Sequence, residues 1–429
     1  MRAPPAAARR PRHHLWWRWR WLAMAGSSGA RKRKARRTRR PGPDPTALLT
    51  DDLVLEILAR VPYRSLRRCL CVCQRWRALI SHPDNTGRLP QTLAGVFYPM
   101  PWDPDDDGSH RYGFCNVSGT GLWSIDAAFS FLPDSERERL FLLDCCNGLI
   151  LCRSYRFADD NEFHYLVVNP ATEKWVAVPV TRRWSNKVQT VRLGFDPGVS
   201  PHFYVFEFQA DYDEDGSDDD GDDDGDGHVL GVKIYSSATG AWIDKQSGWS
   251  MEILLQMDFK SVFLDGVMYV IATQCVIGAV DVMGETWRII EFPRSEGSPF
   301  YDTGPGFLDL SQGRLHLAND DDMVGDKLAI WVLEDKDSEE WTLKHTVLFK
   351  HLAGGKPFGF GISDITVVAI HPDRNMVFYI IGRYEKTLMS YEMGSGKVSI
   401  IRDLGRPYDD HFLPYVPLFS NLLPDGGNQ

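Results

Sequence analysis

No run of apolar residues in this sequence approaches the ~18 that a membrane helix needs, which argues against a helical span. No export leader is evident either: the aromatic stretch from Leu15 to Met24 is interrupted by Arg18 and Arg20, where a secretory signal keeps an unbroken apolar segment. Without export, the eight cysteines have no route to a disulfide framework. They also lack the paired, repeated spacing of a zinc site. Cys69-x-Cys-x-Cys73 falls in a helical pattern and Cys145-Cys146 in a strand-like one, each without a second half. Reduced, buried thiols in the nucleus or cytoplasm are the expectation. Catalytic signatures are missing as well. There is no G-x-S-x-G and no H-E-x-x-H. Gly394-Ser-Gly-Lys397 lacks the upstream glycine of a phosphate loop, and Val398 stands where Ser or Thr is required. No catalytic residue, metal or cofactor is expected.

Acidic residues are absent from positions 1–43, which hold fourteen Arg and Lys, with a dense cluster from Arg31 to Arg40. That stretch is rich in Arg, Pro and Ala and cannot build a core, so it reads as a disordered basic tail, an import signal or a nucleic-acid contact. The remaining chain carries 34 basic and 58 acidic side chains, a net charge of −24. An acidic body makes nucleic acid an unfavourable partner. Eleven of the seventeen residues at 211–227 are acidic. The segment opens like a calcium loop at Asp211, but Asp222 takes the place of the closing Glu, and the preceding Phe203–Phe208 reads as a strand. A disordered inter-strand insert is expected.

Residues 46–82 are different in character. Leu53, Val54, Ile57, Leu58 and Val61 recur at helical spacing. Thr50 or Asp51 can cap that helix, Asp51 and Asp52 suit its positive end, and Pro62 closes it. Ser65 can open a short second helix carrying Leu66 and Leu70, and Val72, Trp76, Leu79 and Ile80 give a third stripe. Three short helices cannot bury all of these side chains against one another, so the surplus should face a partner or the next domain.

Beyond residue 93 long amphipathic helices disappear, and short strands alternate with Gly, Asp, Asn and Pro. One unit recurs, a strand followed by a polar turn and a Trp, ending at Trp175, Trp242, Trp287 and Trp341; a last copy, Met389–Val398, lacks the Trp. Hairpins such as Cys146-Asn-Gly-Leu149, Leu264-Asp-Gly-Val267 and Ser311-Gln-Gly-Arg314 lie between the copies. The Trp residues are 67, 45 and 54 positions apart, and the first interval is 50 without the acidic insert. Two hairpins in roughly 50 residues is the requirement for a four-stranded propeller blade. The Trp side chains are expected to pack between blades.

The run Leu49-Thr-Asp-Asp-Leu-Val-Leu-Glu-Ile-Leu-Ala-Arg-Val-Pro62, then Ser65-Leu66, then Cys71-Val-Cys-Gln-Arg-Trp-Arg-Ala-Leu-Ile80 resembles the F-box, in the form found in large plant families. Thr50 replaces that family's usual proline. Leu143–Cys152 followed by Val168–Trp175 resembles the F-box-associated domain of plant F-box proteins, which implies a kelch-like propeller. The expectation is therefore a basic tail (1–43), an all-α three-helix F-box (44–85) and an all-β propeller-like domain of about six blades (93–423). The resemblance implies docking on a Skp-family adaptor, and through it a cullin, by Leu49, Leu53, Ile57, Leu58, Leu66, Cys71, Val72, Trp76 and Leu79. It also implies that the propeller holds a target protein for ubiquitination. The competing readings are a propeller enzyme and a nuclear nucleic-acid-associated protein.

Overall fold

The computed structural model describes residues 49–423 except 62–65, 67, 70, 83–84, 86–88, 90–91, 102–110, 118–124, 156–162, 180–187, 211–227, 256–258, 294–305, 321–325, 336–338, 356–364, 408 and 421. The basic tail, the acidic insert, and Pro62, Ser65 and Leu70 of the expected helices lie outside the described residues. Among the described residues no helix is long and apolar enough to cross a membrane.

Helix α1 (Asp51–Ala59) starts at Thr50, whose hydroxyl accepts the Leu53 N–H at 3.5 Å, with Asp51 and Asp52 in its first turn. Its inward stripe is Val54, Leu55 and Leu58. These meet Leu66, Ile80 and Leu89, with Leu49, Cys69, Trp76 and Leu79 packed alongside. Each of the fully buried aliphatic side chains contributes about 1.5–3 kcal/mol. Helix α2 (Gln74–Ser81) begins later than the apolar stripe predicted. The Cys73 sulfur accepts the Trp76 N–H at 3.5 Å and caps the helix there, which leaves Val72 in the preceding turn.

The strands form six antiparallel sheets arranged as propeller blades. Strands β1 (Gly95–Pro99) and β2 (Tyr112–Asn116) come first. Blade 1 then holds β3 (Leu140–Cys146), β4 (Leu149–Tyr155), β5 (Phe163–Asn169) and β6 (Lys174–Val178). Blade 2 holds β7 (Val188–Phe195), β8 (Phe203–Ala210), β9 (Val229–Ser236) and β10 (Ala241–Gln246). In blade 3 are β11 (Val262–Leu264), β12 (Val267–Ala272), β13 (Val276–Asp281) and β14 (Trp287–Glu291). Blade 4 follows with β15 (Phe307–Ser311), β16 (Arg314–Asp320), β17 (Lys327–Asp335) and β18 (Glu340–Leu348). Blade 5 has β19 (Ile365–Ile370), β20 (Met376–Ile381), β21 (Lys386–Glu392) and β22 (Lys397–Gly405). The sixth blade joins the two ends of the domain. Strand β23 (Leu413–Tyr415) pairs with β1, Gly95 opposite Tyr415 and Phe97 opposite Leu413, and β1 pairs with β2. Neighbouring blades touch through β3, β7, β11, β15, β19 and β23, so these strands line the central channel.

Because strand side chains alternate between faces, each sheet has two apolar faces, and each interface between blades has its own core. Phe206, Phe208, Trp249 and Met268 fill the junction of blades 2 and 3. Ile330, Phe349, Tyr379 and Met389 fill that of blades 4 and 5. The recurring Trp residues sit on the outermost strands and pack toward the preceding blade, as their spacing predicted. The Trp242 indole donates to the Pro179 carbonyl at 2.6 Å and the Trp341 indole to the Glu291 carbonyl at 3.0 Å. In the copy without Trp, Val398 packs at the same kind of junction.

The hairpins on the inner strands turn on Asn147-Gly148, Asp265-Gly266 and Gln312-Gly313, all with positive φ. Such two-residue turns match the twist of the strands. At Gly148 a Cβ would also lie 2.4 Å from the Leu418 side chain, so the closing segment admits only glycine there.

Candidate functional site

Two regions present functional chemistry, the outer face of the helical module and the channel. On α1, Leu53 is 51% exposed and Ile57 46% exposed, one turn apart, on the face opposite the buried stripe. Val72 is 59% exposed in the turn before α2, and Cys71 beside it is exposed. Leu49, Trp76 and Leu79 are half-buried against the module's core. Leu58 and Leu66 belong to that core; a partner on the outside does not reach them, and their part is to hold α1 in place. The expected set of nine therefore divides into four outward, three flanking and two interior residues. The turn at Arg60 and the pairing of Arg75 with Asp51 at 2.7 Å orient α1 and α2 about the same surface.

The two rims of the ring differ. On one, the connections between paired strands are tight: 147–148, 170–173, 265–266, 312–313 and 393–396, none longer than the seven residues of 196–202, and the 117–139 crossing leaves it from β2 to reach β3 on the other rim. On the other, they reach eighteen residues between Ala210 and Val229, and fifteen or sixteen between Gln246 and Val262, Glu291 and Phe307, and Leu348 and Ile365. The chain from the helical module joins the ring on the tight-turn rim, at Leu93–Gly95, where Thr92 Oγ1 is 3.3 Å from His371 Nε2.

Among the described residues, cavities open into the channel from both rims. One of about 410 Å³ opens on the long-connection rim and one of about 320 Å³ on the tight-turn rim. Cys145, Lys260 and Pro414 touch both. Two buried carboxylates stand nearby. Asp144 accepts the Cys145 and Leu193 N–H groups, each at 2.8 Å, and the Ser261 hydroxyl at 3.0 Å. Asp309 accepts the Leu310 and Ile370 N–H groups, each at 2.8 Å, and the Lys260 ammonium. Each thus ties the inner strand of its own blade to that of the next. Both begin the same pattern, Asp144-Cys-Cys-Asn-Gly148 and Asp309-Leu-Ser-Gln-Gly313. The aspartate three residues ahead of each turn is the signal in the sequence that marks these clamps.

These carboxylates serve as clamps. Their oxygens are occupied by main-chain donors, joined by the Ser261 hydroxyl at Asp144 and the Lys260 ammonium at Asp309, so their bonds hold neighbouring inner strands together. The neighbouring thiols are poor nucleophiles. Burial, and then the Asp144 carboxylate, push Cys145 up to about 12, and burial pushes Cys146 and Cys152 well above the usual thiol range. Among the described residues, no three His, Cys, Asp or Glu side chains are grouped to hold a metal.

His371 gives the tight-turn rim a pH response. Its Nδ1 accepts the Asp373 N–H at 3.0 Å, which places the ring proton on Nε2, toward Thr92. Burial, and then the Arg374 charge, lower its pKa from 6.5 to about 4. The native state therefore binds fewer protons than the unfolded chain in that interval. This contribution is complete above the unfolded pKa and is lost as pH falls toward 4, by up to about 1.4 kcal/mol per unit. Urea unfolding at pH 7 and pH 5 should show a smaller pH slope for His371→Gln than for the parent; equal slopes would remove His371 as the source.

Comparison with known proteins matches both regions. Residues 47–86 match the F-box domain, and residues 114–415 match the family described as F-box protein At3g26010-like, beta-propeller. The chain is similar to F-box protein At5g07610 of Arabidopsis thaliana, 25% identical over 327 residues that cover 72% of each chain. It is similar to putative F-box protein At5g52610 of the same plant, 26% identical over 362 residues, 78% of this chain and 89% of the relative. A third relative, putative F-box/kelch-repeat protein At1g15680 of Arabidopsis thaliana, is 24% identical over 387 residues, covering 82% and 83% of the two chains.

Proposed function

We propose, because the chain belongs to the F-box proteins with an At3g26010-like β-propeller, that it is the substrate-recognition subunit of a cullin-type ubiquitin ligase. The observation that carries this reading is the outward apolar face of the helical module. The module's core is already filled by Val54, Leu55, Leu58, Leu66 and Ile80, yet Leu53, Ile57 and Val72 remain in water. Exposed aliphatic side chains concentrated on so small a unit call for a partner, and a Skp-family adaptor linked to a cullin is that partner. The propeller binds the target protein, and the chain contributes proximity while other subunits perform the transfer. It acts in the nucleus or cytoplasm, where its eight free cysteines stay reduced.

Target recognition belongs to the long-connection rim. Recognition loops need length and sequence freedom on a rigid scaffold, and the tight-turn rim has neither to spare. The helical module joins the ring at the tight-turn rim, so this arrangement leaves the other rim clear for the target.

A pull-down of the full chain with a purified Skp-family adaptor tests the reading, in parallel with a chain lacking residues 46–82. Retention by the full chain and none by the deletion is expected. Absence of retention by the full chain at micromolar concentration would overturn the adaptor assignment.

A further inference from the structure

Resting on the receptor reading, we propose that the chain accepts ubiquitin from its own complex at Lys350 and Lys397, where blades 4 and 5 meet, and that arginine keeps its docking half free of acceptors. A receptor held in such a complex is itself near the activated ubiquitin, so its own amines compete with those of the target at high effective concentration. The reaction needs an unprotonated primary amine. The lysine nitrogen attacks the thioester carbonyl at the ubiquitin C-terminus. The C–N bond forms, the C–S bond breaks, and the carrier leaves as a thiol with the proton that the amine gives up. A guanidinium stays protonated and cannot follow this route.

The two kinds of cation are divided along the chain in that sense. All twelve cationic side chains from Leu49 to Glu173 are arginines, whereas Lys174 to Gln429 holds twelve lysines and ten arginines. At the chain's own ratio of 34 arginines to 14 lysines, about three or four of the first twelve would be lysines. Arg60, Arg68, Arg77 and Arg111 are exposed, so four positions that would present an amine to solvent keep the charge without the chemistry.

Beyond Glu173 most amines are withdrawn. Of the nine described lysines only Lys350 and Lys397 are exposed. Lys260 and Lys386 are held by Asp309 and Asp410, Lys344 lies 3.1 Å from the His316 ring, and the remaining four are half-buried. The two exposed amines stand together. Lys350 lies in the helical turn Phe349–Leu352, Lys397 opens β22, and the residues beside them are joined, because His351 Nε2–H donates to the Gly396 carbonyl at 2.7 Å. Leu352 and Val398 pack in the core between blades 4 and 5, which fixes both segments on one patch of the outer wall.

The test reconstitutes ubiquitin transfer, without a target, from the full chain, a purified Skp-family adaptor, a cullin-based ligase core, ubiquitin and its activating and conjugating enzymes. Modified lysines are mapped by mass spectrometry, and Lys350 and Lys397 are expected to dominate. Lys350→Arg/Lys397→Arg, which keeps both charges, should slow self-modification by about fivefold, because the remaining described amines reach the thioester less often. Adding Arg77→Lys and Arg111→Lys to that variant should return the rate to within about twofold of the parent, with ubiquitin now at those two positions. No self-modification of the parent, modification dominated by any other lysine, a Lys→Arg double variant as fast as the parent, or no gain from the two added lysines would each overturn the proposal. Adaptor retention, measured on the same samples, reports separately on the receptor reading, since the substitutions at Lys350 and Lys397 lie outside the helical module.

Discussion

The double variant Leu53→Asp/Ile57→Asp is expected to lose adaptor binding by a factor on the order of 10²–10⁴ while the protein stays folded. The two side chains lie one turn apart on the outward face of α1, and both are about half exposed. Covered by a partner, each contributes about 1.5–3 kcal/mol, which together corresponds to that range of affinity. A carboxylate at either position adds its own desolvation cost in the complex and none in the free chain. The buried stripe of Val54, Leu55 and Leu58 is untouched, so the free module keeps its core. Leu58→Asp makes the contrast. It places a charge at a site with no exposed surface and acts by unfolding the module, so its loss of binding would say nothing about the docking face. Titration calorimetry with a purified adaptor, together with thermal melts, separates the two cases. A double variant that binds within about threefold of the parent, well under the 1.4 kcal/mol of a tenfold change, would move the docking face elsewhere.

A chain ending at Phe412 is expected to lose the cooperative fold of the propeller. It lacks β23, the inner strand of the sixth blade, and with it three pairings to β1. Tyr415 is fully buried and meets Phe97 edge-on, with ring centroids 5.5 Å apart. Leu413 packs in the same junction between blades 6 and 1, and Leu418 in that between blades 1 and 2. Removing these three buried side chains costs about 1.5–3 kcal/mol each. The neighbouring blades would lose their closing contacts as well. The total is comparable to the ~5–15 kcal/mol that holds a typical domain folded. Soluble yield and the unfolding transition followed by circular dichroism measure it. A truncated chain that melts cooperatively at the parent's temperature would show that the ring closes without its last strand.

Local patterns carried much of this protein. The helical spacing of residues 51–59, the cap at Thr50 and the polar turns before Trp175, Trp242 and Trp287 each depend on neighbours a few positions away, and each stands in the structure as the pattern predicts. Other features were written less openly. Helix α1 has apolar residues on two faces, so spacing alone did not separate the inward Leu58 from the outward Ile57. Val72 continued the apolar stripe of α2, but the cap at Cys73 put it outside the helix. The aspartates at 144 and 309 were visible as a repeated pattern, but their hydrogen bonds reach strands 49 and 61 residues away.

The sequence by itself determined the parts: a small helical unit with more apolar surface than it can bury, followed by repeated strand units that cannot stand alone. Hydrophobic period, capping and turn chemistry are local, and local chemistry is readable along a chain. Tertiary structure alone decided how the parts close and where they meet others. Which leucines face water depends on what packs behind them. Which strand completes the sixth blade depends on contacts between residues more than three hundred positions apart. The long connections gather on one rim, and the cavity opens there, because successive strands alternate in direction around a closed ring. That property belongs to the ring and to no single segment.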